Sequence, residues 1–334
     1  MASPAWRSPA VRSWGGVLTQ MLSWHSVFWL NVPIGVVAVA LSISRLDESY
    51  GPASRIDMPA AALVSGGAVG IVLGLVRAAD SGWSSPDTVA SLGLGILLMA
   101  GFVAWELRAT DPMLPMRLFR NVTFSAANAT AFFMSGSQFA AAFLIAQYFQ
   151  LGQGYSPMDT GLRVLPWTAT PLVVAPLAGA LSDRVGRRPL MLAGMILQAL
   201  GFLLFDAIAT SDAAYWQTIL PLVVSGIGVS MVLPVTPAAI LSAVAPIDMG
   251  RASAVNNTLQ RFGTAFGVAV ATAVFIANGS LANPATFADG LRPALLAVAV
   301  LSILGAVAAV AVGRPQVPEA LPSGEPASAL AVAA

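Results

Sequence analysis

Long apolar blocks separated by short polar ones dominate this chain, and within the blocks apolar and polar residues do not alternate. Strands of a membrane barrel would alternate over about ten residues, so the pattern predicts helices that are apolar all round. Crossing about 30 Å of hydrocarbon at 1.5 Å per residue takes roughly 20 residues. Nine stretches come near that length: 25–44, 58–76, 88–105, 122–150, 164–182, 190–205, 216–246, 257–278 and 293–313. The fourth is long enough to tilt. Pro166, Pro171 and Pro176 punctuate the fifth, and Pro234 and Pro237 predict a kink near the far end of the seventh. Such prolines are tolerated in lipid where neighbouring helices satisfy the freed carbonyls. Gly66, Gly70 and Gly74 in the second span, and Gly263 and Gly267 in the eighth, recur at helical spacing and predict close backbone packing.

Composition turns this pattern into a class. Of 334 residues, 57% are hydrophobic and 9% charged, against roughly 25% charged in a soluble domain. Mean hydropathy is +0.79. A water-soluble or disordered chain is excluded, and an all-α polytopic membrane protein is expected. The net charge of +1 excludes a global nucleic-acid footprint. All 16 basic residues are arginine, cysteine is absent and His25 is the single histidine. Schiff-base, thiol and Ser-His-Asp chemistry therefore lack material, and the spans hold no paired aspartates. Neither an enzyme nor a bound cofactor is expected.

Arginine sets the orientation. Connections of one parity hold Arg45, Arg55, Arg108, Arg117, Arg120, Arg184, Arg187, Arg188 and Arg251, with Arg314 in the tail; the others hold Arg77, Arg163 and Arg292. The richer side is read as cytoplasmic, which puts the C-terminus inside a plasma (cytoplasmic) membrane and the start of the first span outside. Residues 1–14 carry Arg7 and Arg12 but no signal peptide, and read as non-native or disordered.

The densest motif is Gly179-Ala-Leu-Ser-Asp183-Arg184-Val-Gly186-Arg187-Arg188-Pro189, between the fifth and sixth spans. Gly179 suits close helix approach, and Gly186 suits a backbone position with positive φ. Asp183 can favour helix N-termini, and the arginines can pair with carboxylates or lipid phosphate. The alternative is a positive-inside loop with nothing further. The motif resembles the hairpin motif of the major facilitator superfamily, G-x-x-x-D-R-x-G-R-R. Residues 23–35, with Trp24, Trp29, Asn31, Pro33 and Gly35, are similar to the sixth span of that family's fourteen-span drug:proton antiporter branch, with His25 where an arginine is usual. Gly250-Arg251-Ala-Ser-Ala-Val-Asn256-Asn257-Thr258, followed by Gly263 and Gly267, resembles the start of its eleventh span. Gly15-Gly16-Val-Leu-Thr19 looks like the end of its fifth-span antiporter motif.

The resemblance implies an incomplete major facilitator fold of about nine transmembrane helices, with the family's first five spans missing. Residues 15–44 would be the last helix of the N-terminal half and 45–121 two linker helices with their loops. Residues 122–313 would be the C-terminal six-helix half, and 314–334 a disordered cytoplasmic tail. It further implies proton-driven efflux of drug-like amphipathic compounds by alternating access, the proton gradient supplying the energy. The implied partners are membrane lipid, a small-molecule substrate and a missing N-terminal half. The alternative is a non-transporting remnant, or a half-transporter that needs a partner chain. Under the resemblance Gly179, Asp183, Arg184, Gly186, Arg187 and Arg188 form a conformational latch.

Other candidates are cavity-lining. Asn128, Gln138 and Gln147 fall at spacings read as one face of the fourth span, where they line a cavity or bond between helices. Arg261 lies inside an apolar span, where it is functional or snorkels. Asp206 is a helix-end acid or a proton carrier, Arg163 pairs with Asp159 or lipid, and His25 is a hydrated or capping residue.

Overall fold

The computed structural model describes residues 25–45, 57–109, 112, 114–210, 213–280 and 284–313. The readings of residues 1–14, of Gly15–Thr19, of the His25 side chain and of the tail 314–334 lie outside the described residues. Residues 1–55 form one unit and 56–334 another. The described part of the first unit is α1 (His25–Arg45), 21 residues long with an apolar stretch at Gly35–Ser44.

The second unit contains α2 (Met58–Ser81), α3 (Pro86–Glu106), α4 (Val122–Gln147), α5 (Pro157–Arg163), α6 (Leu165–Thr168) and α7 (Thr170–Val185). These are followed by α8 (Arg187–Ile208), α9 (Tyr215–Val232), α10 (Val235–Ser242), α11 (Met249–Asn278) and α12 (Pro284–Val310). The fold is all-helical, and no strand occurs among the described residues. Eight helices or helix runs are long and apolar enough to cross a membrane. Among the described residues these eight overlap eight of the nine predicted stretches, and α1 occupies the first with a shorter apolar stretch.

Polar caps start several helices where the apolar blocks begin. Asp57 Oδ1 accepts from the Ala60 amide at 3.0 Å, Ser85 Oγ from Thr88 at 3.3 Å, and Asn121 Oδ1 from Phe124 at 3.2 Å. Each satisfies one amide that the first helical turn leaves without a partner. Boundaries differ from expectation where charges or prolines guided them. The eighth span begins at Met249 rather than 257 and includes Arg251, whose long side chain reaches out from a first turn. Asp206 lies within the last turn of α8. Pro293 sits inside α12 rather than at its start. The fifth span is divided at Val164 and Ala169, each two residues before a proline that cannot donate to the preceding turn. The seventh breaks at Leu233–Pro234, at the expected kink.

Glycines set the closest contacts. A Cβ on Gly70 would lie 2.7 Å from Gly95 Cα, so α2 and α3 meet backbone to backbone. On α8 and α9, a Cβ on Gly194 would stand 2.7 Å from the Gly228 carbonyl oxygen. Within the bundle, α4 packs chiefly on α11 and α12, and α8 on α9 and α12. Two apolar clusters fill its ends, one around Tyr148, Phe149, Phe205 and Phe287, the other around Phe124, Met191, Ile240 and Ala252. A smaller group containing Met134, Met195 and Val232 joins them midway.

Candidate functional site

The hairpin joining α7 to α8 is a single glycine wide. Gly186 has φ 88° and ψ 163°, a conformation that a side chain strongly disfavours, and its amide closes α7 by donating to the Ser182 carbonyl at 3.0 Å. A Cβ there would meet nothing within 4 Å, so the requirement for glycine is purely one of backbone. Gly186→Ala is expected to cost about 1–3 kcal/mol, read as a lowered melting temperature of the purified chain.

The rest of the motif is disposed in two ways. Arg187 Nη1 donates to Ser242 Oγ, tying the start of α8 to the end of α10. Asp183, Arg184 and Arg188 are exposed, and their side chains make no hydrogen bond or ion pair among the described residues. Gly179 likewise makes no close approach, since a Cβ there would meet open space. At about 100° per residue, Leu172, Pro176, Gly179 and Asp183 share one face of α7. That face is uncovered: Leu172 is 80% exposed.

α11 resembles α7 in this respect. Of the apolar stretch in the α6–α7 span 17% is buried, and of that in the Pro246–Asn278 span 28%, against 44–56% in the other four bundle spans. Arg261 occupies the thirteenth position of α11, exposed and on the same side as exposed Asn257 and Thr258. The helix begins at Met249, so Arg261 stands more than three turns inside it.

The polar residues of α4 do not share a face. At about 100° per residue, Asn128 and Gln138 are about 80° apart, and Gln138 and Gln147 about 180°. Asn128 is buried and donates to the Phe124 carbonyl of its own helix at 2.9 Å, while its Oδ1 has no partner. Gln147 is half-buried at the end of α4. Gln138 reaches a cavity, of about 230 Å³, shared with Phe139, Trp167, Thr168, Pro171 and Gly226. It lies about half way along the Val122–Gly152 and Tyr215–Ser242 spans. Its lining joins one amide to two aromatic rings, a surface suited to a flat apolar body with a polar edge.

Residues that sequence reasoning left aside hold the bundle around this cavity. Trp167 packs edge-on against Phe202, ring centroids 6.3 Å apart. Gln198, fully buried, donates to Ser137 Oγ at 3.0 Å. Arg163 does not pair with the Asp159 carboxylate; its guanidinium lies 3.5 Å from the Tyr155 ring centroid and donates to the Asp159 carbonyl. Asp206 faces Arg292 of α12 at 3.7 Å.

A profile of the Major Facilitator Superfamily matches residues 126–333. The chain is 34% identical over 302 residues to the cephamycin export protein CmcT of Amycolatopsis lactamdurans, which covers 88% of this chain and 61% of that protein. It is 31% identical over 259 residues to the tetracenomycin C resistance and export protein of Streptomyces glaucescens, 77% of this chain and 48% of that protein. Identity to the multidrug resistance protein Stp of Mycobacterium tuberculosis is 31% over 265 residues, 79% and 49% respectively. The chain thus spans about half to three fifths of the length of these curated relatives.

Proposed function

We propose that this chain, which belongs to the major facilitator superfamily and is a multi-pass membrane protein, serves proton-coupled efflux of drug-like amphipathic compounds in the fourteen-span branch. Relatives whose names describe export of cephamycin and tetracenomycin C support efflux. The observation that carries a compound-binding role is the aromatic cavity of Gln138, Phe139 and Trp167 midway through the bundle. Alternating access would open it to one side of the membrane and then the other. No step of this function is routed through a cofactor. The C-terminus is cytoplasmic in this reading, because the arginine-rich connections lie on its side.

A second reading is favoured by the uncovered faces of α7 and α11: the chain is half of a transporter and acts only with a partner half. Exposed Asp183 and Arg261 would then meet that half, Asp183 in a latch that closes the cytoplasmic side. Polar groups left facing lipid each cost up to several kcal/mol, which disfavours the bundle acting alone.

Vesicles containing the chain, with an imposed proton gradient and a fluorescent aromatic cation, test both readings. The chain alone is expected to bind the cation without moving it, and the chain combined with a partner half to move it. Transport by the chain alone would overturn the half-transporter reading; binding by neither would overturn the cavity assignment. In the same assay Trp167→Leu is expected to weaken binding about tenfold, the loss of one cation–π contact and its apolar area. Unchanged affinity would place the compound elsewhere.

A further inference from the structure

A second cavity, of about 490 Å³, opens where three spans end together: the C-terminus of α3, the short turn at Met116–Arg120 before α4, and the start of α11. Arg117, Arg120, Arg251 and Glu106 line it, over apolar walls that include Pro115 and Met116. Three guanidiniums line it against Glu106, and Asp248 behind Arg117 and Arg251 is a second carboxylate. The excess of one positive charge, carried on exposed Arg120 and the open side of Arg117, favours anions.

The charges are disposed for an outside ligand. Arg117 donates to both carboxylate oxygens of Asp248, at 3.0 and 3.2 Å, yet 66% of its side chain stays exposed. Arg251 stands 3.8 Å from the same carboxylate. Arg120 is exposed, and its side chain makes no hydrogen bond or ion pair among the described residues. Glu106 is 3% exposed; its Oε2 accepts from the Leu114 amide at 3.0 Å, and its buried Oε1 has no partner. A buried carboxylate oxygen without a donor is costly. A phosphodiester with a hydroxyl beside it answers both features, its phosphate oxygens on the guanidinium forks and its hydroxyl on Glu106 Oε1.

Depth selects the source. Glu106 is the last residue of one candidate membrane span and Val122 the first of the next. The cavity therefore lies at the level of lipid headgroups, on the arginine-rich side, where anionic lipids gather against basic pockets between spans. We propose that this cavity binds the phosphoglycerol headgroup of an anionic glycerophospholipid, which bridges the α2–α3 hairpin to the six-helix bundle. The site is independent of any compound the bundle carries.

The 334-residue chain in detergent is titrated with short-chain phosphatidylglycerol, short-chain phosphatidylcholine and inorganic phosphate, with bound mass read by native mass spectrometry. Saturable binding of one phosphatidylglycerol, about tenfold tighter than phosphatidylcholine, is expected. Arg120→Gln should weaken it about tenfold, the loss of one charge-assisted hydrogen bond. Arg292→Gln, at an exposed arginine outside the cavity, should leave it unchanged. Arg120 makes no hydrogen bond or ion pair among the described residues, so an unaltered melting temperature confirms that the variant is folded. Absence of binding, equal affinity for the two lipids, or binding indifferent to Arg120→Gln would overturn the site. Inorganic phosphate binding there as tightly as the lipid would overturn the lipid as its source.

Discussion

Gly267→Leu is expected to leave little folded protein. Gly267 on α11 faces the backbone of Gly136 on α4: a Cβ at 267 would lie 2.5 Å from Gly136 Cα. Carbon atoms in contact rest at about 3.5–4.0 Å. The obstacle is backbone rather than the end of a flexible side chain, so nothing local can turn aside. The same seam repeats one turn away, where a Cβ on Gly136 would stand 2.7 Å from the Gly263 carbonyl oxygen. Leucine therefore separates two whole helices, and with them the Phe132–Phe266 ring pair, now 5.5 Å apart, and the Ser135–Gln260 contact at 3.5 Å. In lipid no hydrophobic drive restores the pair, because hydrocarbon tails are as apolar as the side chains, and packing itself holds helices together. Overpacking costs about 1–3 kcal/mol in a core that can adjust, and this seam has little room to. The measurement is the monodisperse yield and melting temperature of the purified chain. Gly179→Leu is the matched control: it also places leucine at a helical glycine, but into open space, and should melt with the parent. If the two variants behave alike, close approach at Gly267 does not hold α4 to α11.

That contrast shows which features the sequence could convey. Spans were legible because bilayer thickness fixes their length and water fixes their ends. The glycine stripes at 66–74 and 263–267 were legible as packing, and the hairpin glycine as a positive-φ position. Helix ends were less so: charges were taken as boundaries, yet Arg187, Arg251 and Asp206 lie inside helices, because terminal turns can carry long side chains out to the interface. Gly179, read as a close-approach glycine, faces open space among the described residues, and a sequence does not say which helix face has a neighbour. Asn128, Gln138 and Gln147 were grouped by spacing, but a nine-residue interval turns a helix by about half a revolution too far. Contacts distant along the chain left no signal at all. Arg117 and Asp248 are 131 positions apart, and the aromatic cavity draws Trp167 and Gln138 from different spans. Gln138, named among the cavity-lining candidates, was its one visible trace, and Trp167 left none.

Asp183→Asn should separate folding from transport. Asp183 is exposed, and its side chain has no hydrogen bond or ion pair among the described residues, so the fold loses nothing when its charge is removed. Surface substitutions of this kind usually stay within about 0.5 kcal/mol of the parent. Expression and melting temperature should therefore match. Transport should not match, if Asp183 closes a latch against a partner half. Asparagine keeps the shape and the acceptor oxygen but removes the charge, so a charge-assisted contact becomes a neutral one of roughly half the strength. Coupling energies of about 1–3 kcal/mol correspond to 5–150-fold changes in a conformational equilibrium, and a fall of about tenfold in initial efflux rate is expected where the chain acts with a partner half. Gly186→Ala provides the opposite signature, with the melting temperature lowered because the cost lies in the turn itself. Efflux by Asp183→Asn at the parental rate would remove the latch and leave the motif as a positive-inside turn. A lowered melting temperature in that variant would instead show that the carboxylate has a partner within the bundle, and that the uncovered face of α7 is not where it acts.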